Sequence, residues 1–189
     1  MFRNTGNLTF EPTTLLQFPP VYGSSYFELA DLNGDNQPDI VYTCGDNADL
    51  SQVLKPYHGV YVYQNQGNNK FRQTFFQPMS GAYQVLARDF DGDGVPELAA
   101  IAFYADNRVK EPLTFMILRR ENDTYVPYTL PINTLGRWLT MDAADLDADG
   151  DVDIVLGNHP SSPSPGLHRK EWYDGPSLLI LRNKNGRVQ

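Results

Sequence analysis

The 189-residue sequence has one cysteine, Cys44, so it forms no internal disulfide, and a lone cysteine closing a strand-like run reads as a small buried hydrophobe. Histidine is scarce as well. His58, His159 and His168 are the only three, and no His-x-x-x-His or Cys-x-x-Cys spacing provides for a transition metal. Neither a Gly-x-Ser-x-Gly elbow nor a Gly-rich phosphate loop occurs, so no motif supports an enzyme. The 15 Lys and Arg residues are outnumbered by 23 acidic ones, giving a net charge of -8. No basic stripe is present to neutralise phosphates, which excludes nucleic acid as a partner. No apolar run reaches the length of a membrane span. The first ten residues, MFRNTGNLTF, lack the regions of a signal peptide, so an exported parent would carry its signal outside this chain. A sustained 3.6-residue apolar period is missing too, which excludes long amphipathic helices.

What is present is a core-forming composition, 41% hydrophobic and 12% aromatic, and an uneven distribution of charge. Twelve of the 23 acidic residues lie in three short segments, 31–39, 89–97 and 145–153. Their first residues, Asp31, Asp89 and Asp145, are spaced by 58 and 56, so the chain is an internal repeat. Residues 2–10 line up with 63–71, and a further copy begins at Leu181-Arg182-Asn183.

Each repeat divides into short β-branched and aromatic runs bounded by Asn, Gly and Pro. One run precedes each acidic segment (26–30, 84–88, 139–144), one follows it (40–43, 98–104, 154–157), and a third comes later (60–64, 114–119, 178–182). A fourth follows an Asn-Gly turn, as at 70–76. The expected fold class is all-β, with three four-stranded antiparallel repeats of propeller-blade type, at roughly 5–65, 66–120 and 121–183, within one segment spanning 1–189. Three blades do not close a ring, which takes roughly four to eight. The remaining blades, or another chain, are therefore expected partners.

The acidic segments read Asp31-Leu-Asn33-Gly-Asp35-Asn-Gln37-Pro-Asp39, Asp89-Phe-Asp91-Gly-Asp93-Gly-Val95-Pro-Glu97 and Asp145-Leu-Asp147-Ala-Asp149-Gly-Asp151-Val-Asp153. Oxygen-bearing side chains fall at positions 1, 3, 5 and 9, and position 7 (Gln37, Val95, Asp151) supplies a carbonyl. A tight loop turns alternate residues inward, so these oxygens surround one point and suit a hard cation that accepts several oxygens at flexible angles. Up to three Ca²⁺ ions are expected. Position 6, the site of the sharp turn, holds Asn36, Gly94 and Gly150, which tolerate a left-handed backbone. An EF-hand would need a bidentate Glu at position 12, where Tyr42, Ala100 and Leu156 stand instead.

DLNGDNQPDIVY, DFDGDGVPELAAIA and DLDADGDVDIVLG resemble the calcium-loop core of FG-GAP/VCBS repeats, the units of integrin-α-like β-propellers. The bacterial VCBS-like form fits better, because Phe-Gly and Gly-Ala-Pro are absent from their expected places. The resemblance implies structural calcium in each blade and a non-catalytic, extracellular or cell-surface module for adhesion or for binding a carbohydrate or protein. The alternative it implies is the propeller part of a polysaccharide lyase or related carbohydrate-active enzyme.

Antiparallel connections alternate between the two ends of a sheet, so the acidic loops and Asn-Gly turns share one face. Segments 45–59, 105–113 and 158–177 share the other, and long loops on a rigid β scaffold commonly carry binding. The ligand-binding candidates are Tyr57, His58, His168, Arg169, Trp172 and Tyr173, with the aromatics as stacking platforms for sugar rings. Trp138, opening a strand, is expected in the core.

Overall fold

The computed structural model describes residues 1–46, 53–106, 108–161, 169–184 and 186. The alternating runs form thirteen strands, all paired antiparallel. A first hairpin joins β1 (Phe2–Gly6) to β2 (Thr9–Pro12). A four-stranded sheet follows in sequence order, β3 (Ser24–Ala30), β4 (Asp39–Cys44), β5 (Gly59–Asn65) and β6 (Phe71–Pro78). The second sheet repeats it with β7 (Ala82–Arg88), β8 (Glu97–Ala102), β9 (Phe115–Glu121) and β10 (Thr124–Tyr128). The third holds β11 (Trp138–Ala144), β12 (Asp153–Asn158) and β13 (Leu178–Leu181).

The expectation of three four-stranded repeats is thus corrected. The third sheet has three strands among the described residues, because no strand pairs with the outer edge of β13. Among the described residues helix is confined to a 3-10 turn at Pro20–Tyr22 and one short α-helix, α1 (Lys170–Tyr173).

The sheets pack face to face in sequence. Val41, Val60 and Val62 of the first sheet meet Ala100, Met116 and Leu118 of the second in one core cluster. On the other face of the second sheet, Ala99, Ile101, Phe115 and Ile117 meet Met141, Ile154 and Leu156 of the third. Strand β8 is buried at every residue because sheets cover both of its faces, and that is why Leu-Ala-Ala-Ile-Ala reads as one apolar run. Trp138 is fully buried, as expected for a core residue.

The free face of the first sheet is covered differently. Leu15, Leu16, Phe18 and Tyr22 from the segment after the hairpin lie over Ile40, Tyr42, Cys44, Tyr61 and Tyr63. Phe18 stacks on Tyr42 at 4.6 Å and Tyr22 on Tyr57 at 4.6 Å, geometry that adds to plain area burial. Cys44 is buried there and donates to the Tyr22 carbonyl. Burial pushes its thiol up to about 11, which makes it the inert hydrophobe expected of it.

Candidate metal centres

The three acidic loops close in the same way, from their first residue outward. Asp31 Oδ1 accepts the N–H groups of Asn33, Gly34 and Asp35 at 3.3, 2.8 and 3.2 Å, and its Oδ2 accepts that of Asn36 at 2.7 Å. Asp89 accepts from Gly92, Asp93 and Gly94 in the same pattern, and Asp145 from Asp149 and Gly150. Desolvation raises the Asp31 carboxyl, but the four donated N–H groups outweigh it and hold the group below its ordinary value. The position-5 carboxylates Asp35, Asp93 and Asp149 each accept the N–H of position 7, from Gln37, Val95 and Asp151.

The expected left-handed turn at position 6 is present, with φ of 61° at Asn36, 88° at Gly94 and 96° at Gly150. Position 4 turns the same way, at Gly34, Gly92 and Ala148, and sequence reasoning missed it. Two successive glycines at even spacing signal it in the second loop, whereas Ala148 hides it in the third at φ 62°.

Position 9 has a different duty from the rest. Asp39 is 1% exposed, and its two oxygens accept the N–H of Leu32 at 3.1 Å and of Asn65 at 2.8 Å. Asp153 does the same for Leu146 and Asn183 and also takes the Arg182 guanidinium at 2.8 Å. These carboxylates clamp the loop to the start of the Asn-Gly turn, which confirms that loops and turns share one end of the sheets. Asp39 and Asp153 are buried as well as bonded to backbone, which sets them apart from the more exposed carboxylates at positions 1, 3 and 5. Glu97 accepts the N–H of Phe90 and, being one methylene longer, brings an oxygen within 4.8 Å of oxygens on Asp89 and Asp91. Burial pushes both Asp39 and Glu97 up against the N–H groups that pull them down.

A second convergence joins Asp145, Asp147 and Asp149, again with oxygens within 4.8 Å of one another. The first loop places Asn33 where the others have Asp, and its amide donates to Asp35 at 3.1 Å. All three donor sets are oxygen only, which fits a hard cation and not zinc. Arginine is the unforeseen member. Arg182, just past the end of β13, lies 3.1 Å from Asp147, and Arg119 on β9 lies 3.4 Å from Asp91. The strand pairings place Gln64 at the same point beside the first loop.

At the opposite end two of the expected ligand residues, His58 and Trp172, are internal. His58, at 1% exposure, is buried, and neither ring nitrogen has a partner among the described residues. Burial, with Lys55 adding to it, lowers its pKa to about 4, so it is neutral and enclosed and not a binding or basic group at the surface. Trp172 is 2% exposed, anchoring α1 under the loop, and presents no ring face for stacking. Tyr57 spends its ring on Tyr22 and its hydroxyl on the Val21 carbonyl. Arg169 reaches the carbonyls of Val109 and Lys110, and Tyr173 is exposed. His168 lies outside the described residues.

Comparison with known families agrees with the start of this pattern. A family model described as an FG-GAP-like repeat matches residues 1–42, from β1 through the first acidic loop and into β4. No curated protein matches the chain.

Proposed function

We propose that the chain is a non-catalytic, calcium-stabilised segment of a β-propeller that binds a carbohydrate or protein outside the cell. The observation that carries this reading is the threefold recurrence of one loop geometry, closed by the same hydrogen bonds, on three successively packed sheets. The residues that would hold calcium are Asp31, Asn33 and Asp35 in the first loop, Asp89, Asp91, Asp93 and Glu97 in the second, and Asp145, Asp147 and Asp149 in the third. The ion would supply positive charge that lets these carboxylates crowd together, and it would bind the folded chain alone, so it stabilises by mass action. Exposed loops with few committed donors suit the weak sites of extracellular modules, with dissociation constants of roughly 10⁻⁴–10⁻³ M.

The propeller reading draws support from the ends of the stack. Leu146, Leu178 and Ile180 on the third sheet are 45%, 68% and 46% exposed. By strand register they match Phe90, Phe115 and Ile117 of the second sheet, which are 4%, 0% and 8% exposed against the third. At the other end Phe27 and Leu29 of β3 are 63% and 55% exposed where their counterparts Val85 and Ala87 are buried. Each end is one half of an interface that the chain itself forms twice. A further sheet of this type would cover the end at the third sheet; at the first sheet it would meet Phe27 and Leu29 beside segment 15–22, which already covers Ile40, Tyr42 and Tyr61.

A thermal melt in calcium and in excess EDTA tests the reading. A higher melting temperature in calcium is expected, and equal melting temperatures after complete metal removal would sink structural calcium.

A further inference from the structure

We propose that the cleft between the first two sheets, beside the first acidic loop, binds a neutral oligosaccharide, an assignment that rests on the binding-module reading. The cleft encloses about 460 Å³ between β5 and β6 on one side and β10 on the other. That volume falls in the range of roughly 300–1,000 Å³ that takes small ligands. An adjoining hollow of about 280 Å³ shares Leu32, Asn33 and Arg120 with it and extends the groove past Asp31. The site therefore has the length for a chain of sugar rings, and it lies on the face opposite the long loops.

Its chemistry is set by two arginines. Arg3, Arg88, Arg108, Arg119 and Arg182 each pair with a carboxylate. Arg72 and Arg120 face this one cleft, and neither has a carboxylate partner among the described residues. Arg72 makes one 3.4 Å contact to the Gln64 side chain. Arg120 donates through Nε to the Asn122 carbonyl and lies over the Tyr125 ring at 5.2 Å, which fixes its plane. Arg120 also hydrogen-bonds the Tyr125 hydroxyl, and holding it against that ring lowers the entropy lost when it binds.

Beside these donors stand acceptors: the Gln64 amide, which Arg72 touches, and the Asp123 carboxylate. A sugar hydroxyl donates and accepts at once, so it needs both kinds of group at close spacing. An anion would use the donors alone. It would also meet Asp123 and the neighbouring acidic loop in a protein of net charge -8, and that opposes an acidic ligand.

The test is isothermal titration of the whole chain, in calcium, with xylohexaose, cellohexaose, mannohexaose and, as an anionic arm, hexagalacturonate. At least one neutral hexasaccharide is expected to bind, with Arg72→Ala and Arg120→Ala each weakening it tenfold or more. Both variants should melt as the parent does, Arg72 being exposed and Arg120 half-buried at the edge. Binding of no neutral hexasaccharide overturns the proposal, and so does binding of hexagalacturonate alone. Neutral binding that survives both arginine variants but is lost in Arg169→Ala or Tyr173→Ala moves the site to the opposite face and leaves the binding-module reading standing. Loss of the calcium effect in the EDTA melt would overturn that reading's metal component, whatever the titration shows.

Discussion

His58 makes the chain acid-sensitive in a way that its acidic loops do not. The side chain is 1% exposed, with the Tyr57 ring edge-on at 5.3 Å and, among the described residues, no partner on either ring nitrogen. Its folded pKa of about 4 lies below the ordinary 6.5, chiefly through burial. The folded state thus favours the neutral ring and the unfolded state binds the extra proton. Stability from this group is complete above pH 6.5 and is lost as pH falls towards 4. With 1.36 kcal/mol per pKa unit, linkage gives a loss of about 2 kcal/mol at pH 5 and about 3 kcal/mol at pH 4. Carboxylates in the loops also titrate in this range, so the quantity to measure is a difference. Urea unfolding of the parent and of His58→Leu should be followed from pH 7.5 to 4.5 in EDTA. Changed packing shifts the variant by a constant, whereas the proton linkage makes the two curves diverge steadily below pH 6.5, the parent losing more. Parallel curves across that range would refute the enclosed neutral histidine.

Two further outcomes follow from the position-9 clamp and the open sheet face. Asp39→Ala leaves the Leu32 and Asn65 N–H groups without acceptors, at about 1–3 kcal/mol for each buried one. The loss should appear in urea unfolding in EDTA as fully as in calcium. A loss confined to calcium would make Asp39 a metal ligand after all. Ile180→Asp should abolish concentration-dependent association in sedimentation velocity while shifting the melt of the monomer only within about 0.5 kcal/mol, as for surface changes generally. If the variant unfolds, or the parent never associates, the face is not an interface between copies.

Much of the fold was legible because its signals are local. Alternation of β-branched with polar residues, stopped by Asn and Gly, located ten of the strands to within a few residues, and the repeat spacing set their order. The acidic loops were legible for the same reason, since alternate oxygen side chains and a left-handed position 6 sit within nine residues. Position 9 was not. A carboxylate that binds an ion and one that binds backbone N–H groups look identical in sequence, and the deciding partner of Asp39, Asn65, lies 26 residues away. The guanidiniums of Arg119 and Arg182 reach the loops by strand pairing, which no local pattern encodes.

Part of the expected ligand surface is internal for a related physical reason. Long loops rich in aromatics suggest exposed platforms, but an aromatic side chain that finds an apolar neighbour buries its ring. Tyr22 was there for Tyr57, and α1 folds Trp172 inward. Composition cannot distinguish the two outcomes, because both need the same residue types. The cleft shows the converse. Gln64, Arg72, Arg120 and Tyr125 are unremarkable one by one, and they converge because adjacent sheets of the repeat splay at their outer strands. The proposed cleft is built by a pair of repeats, with β6 and β10 as its outer strands, and the same arrangement against the third sheet would need a fourth strand beside β13.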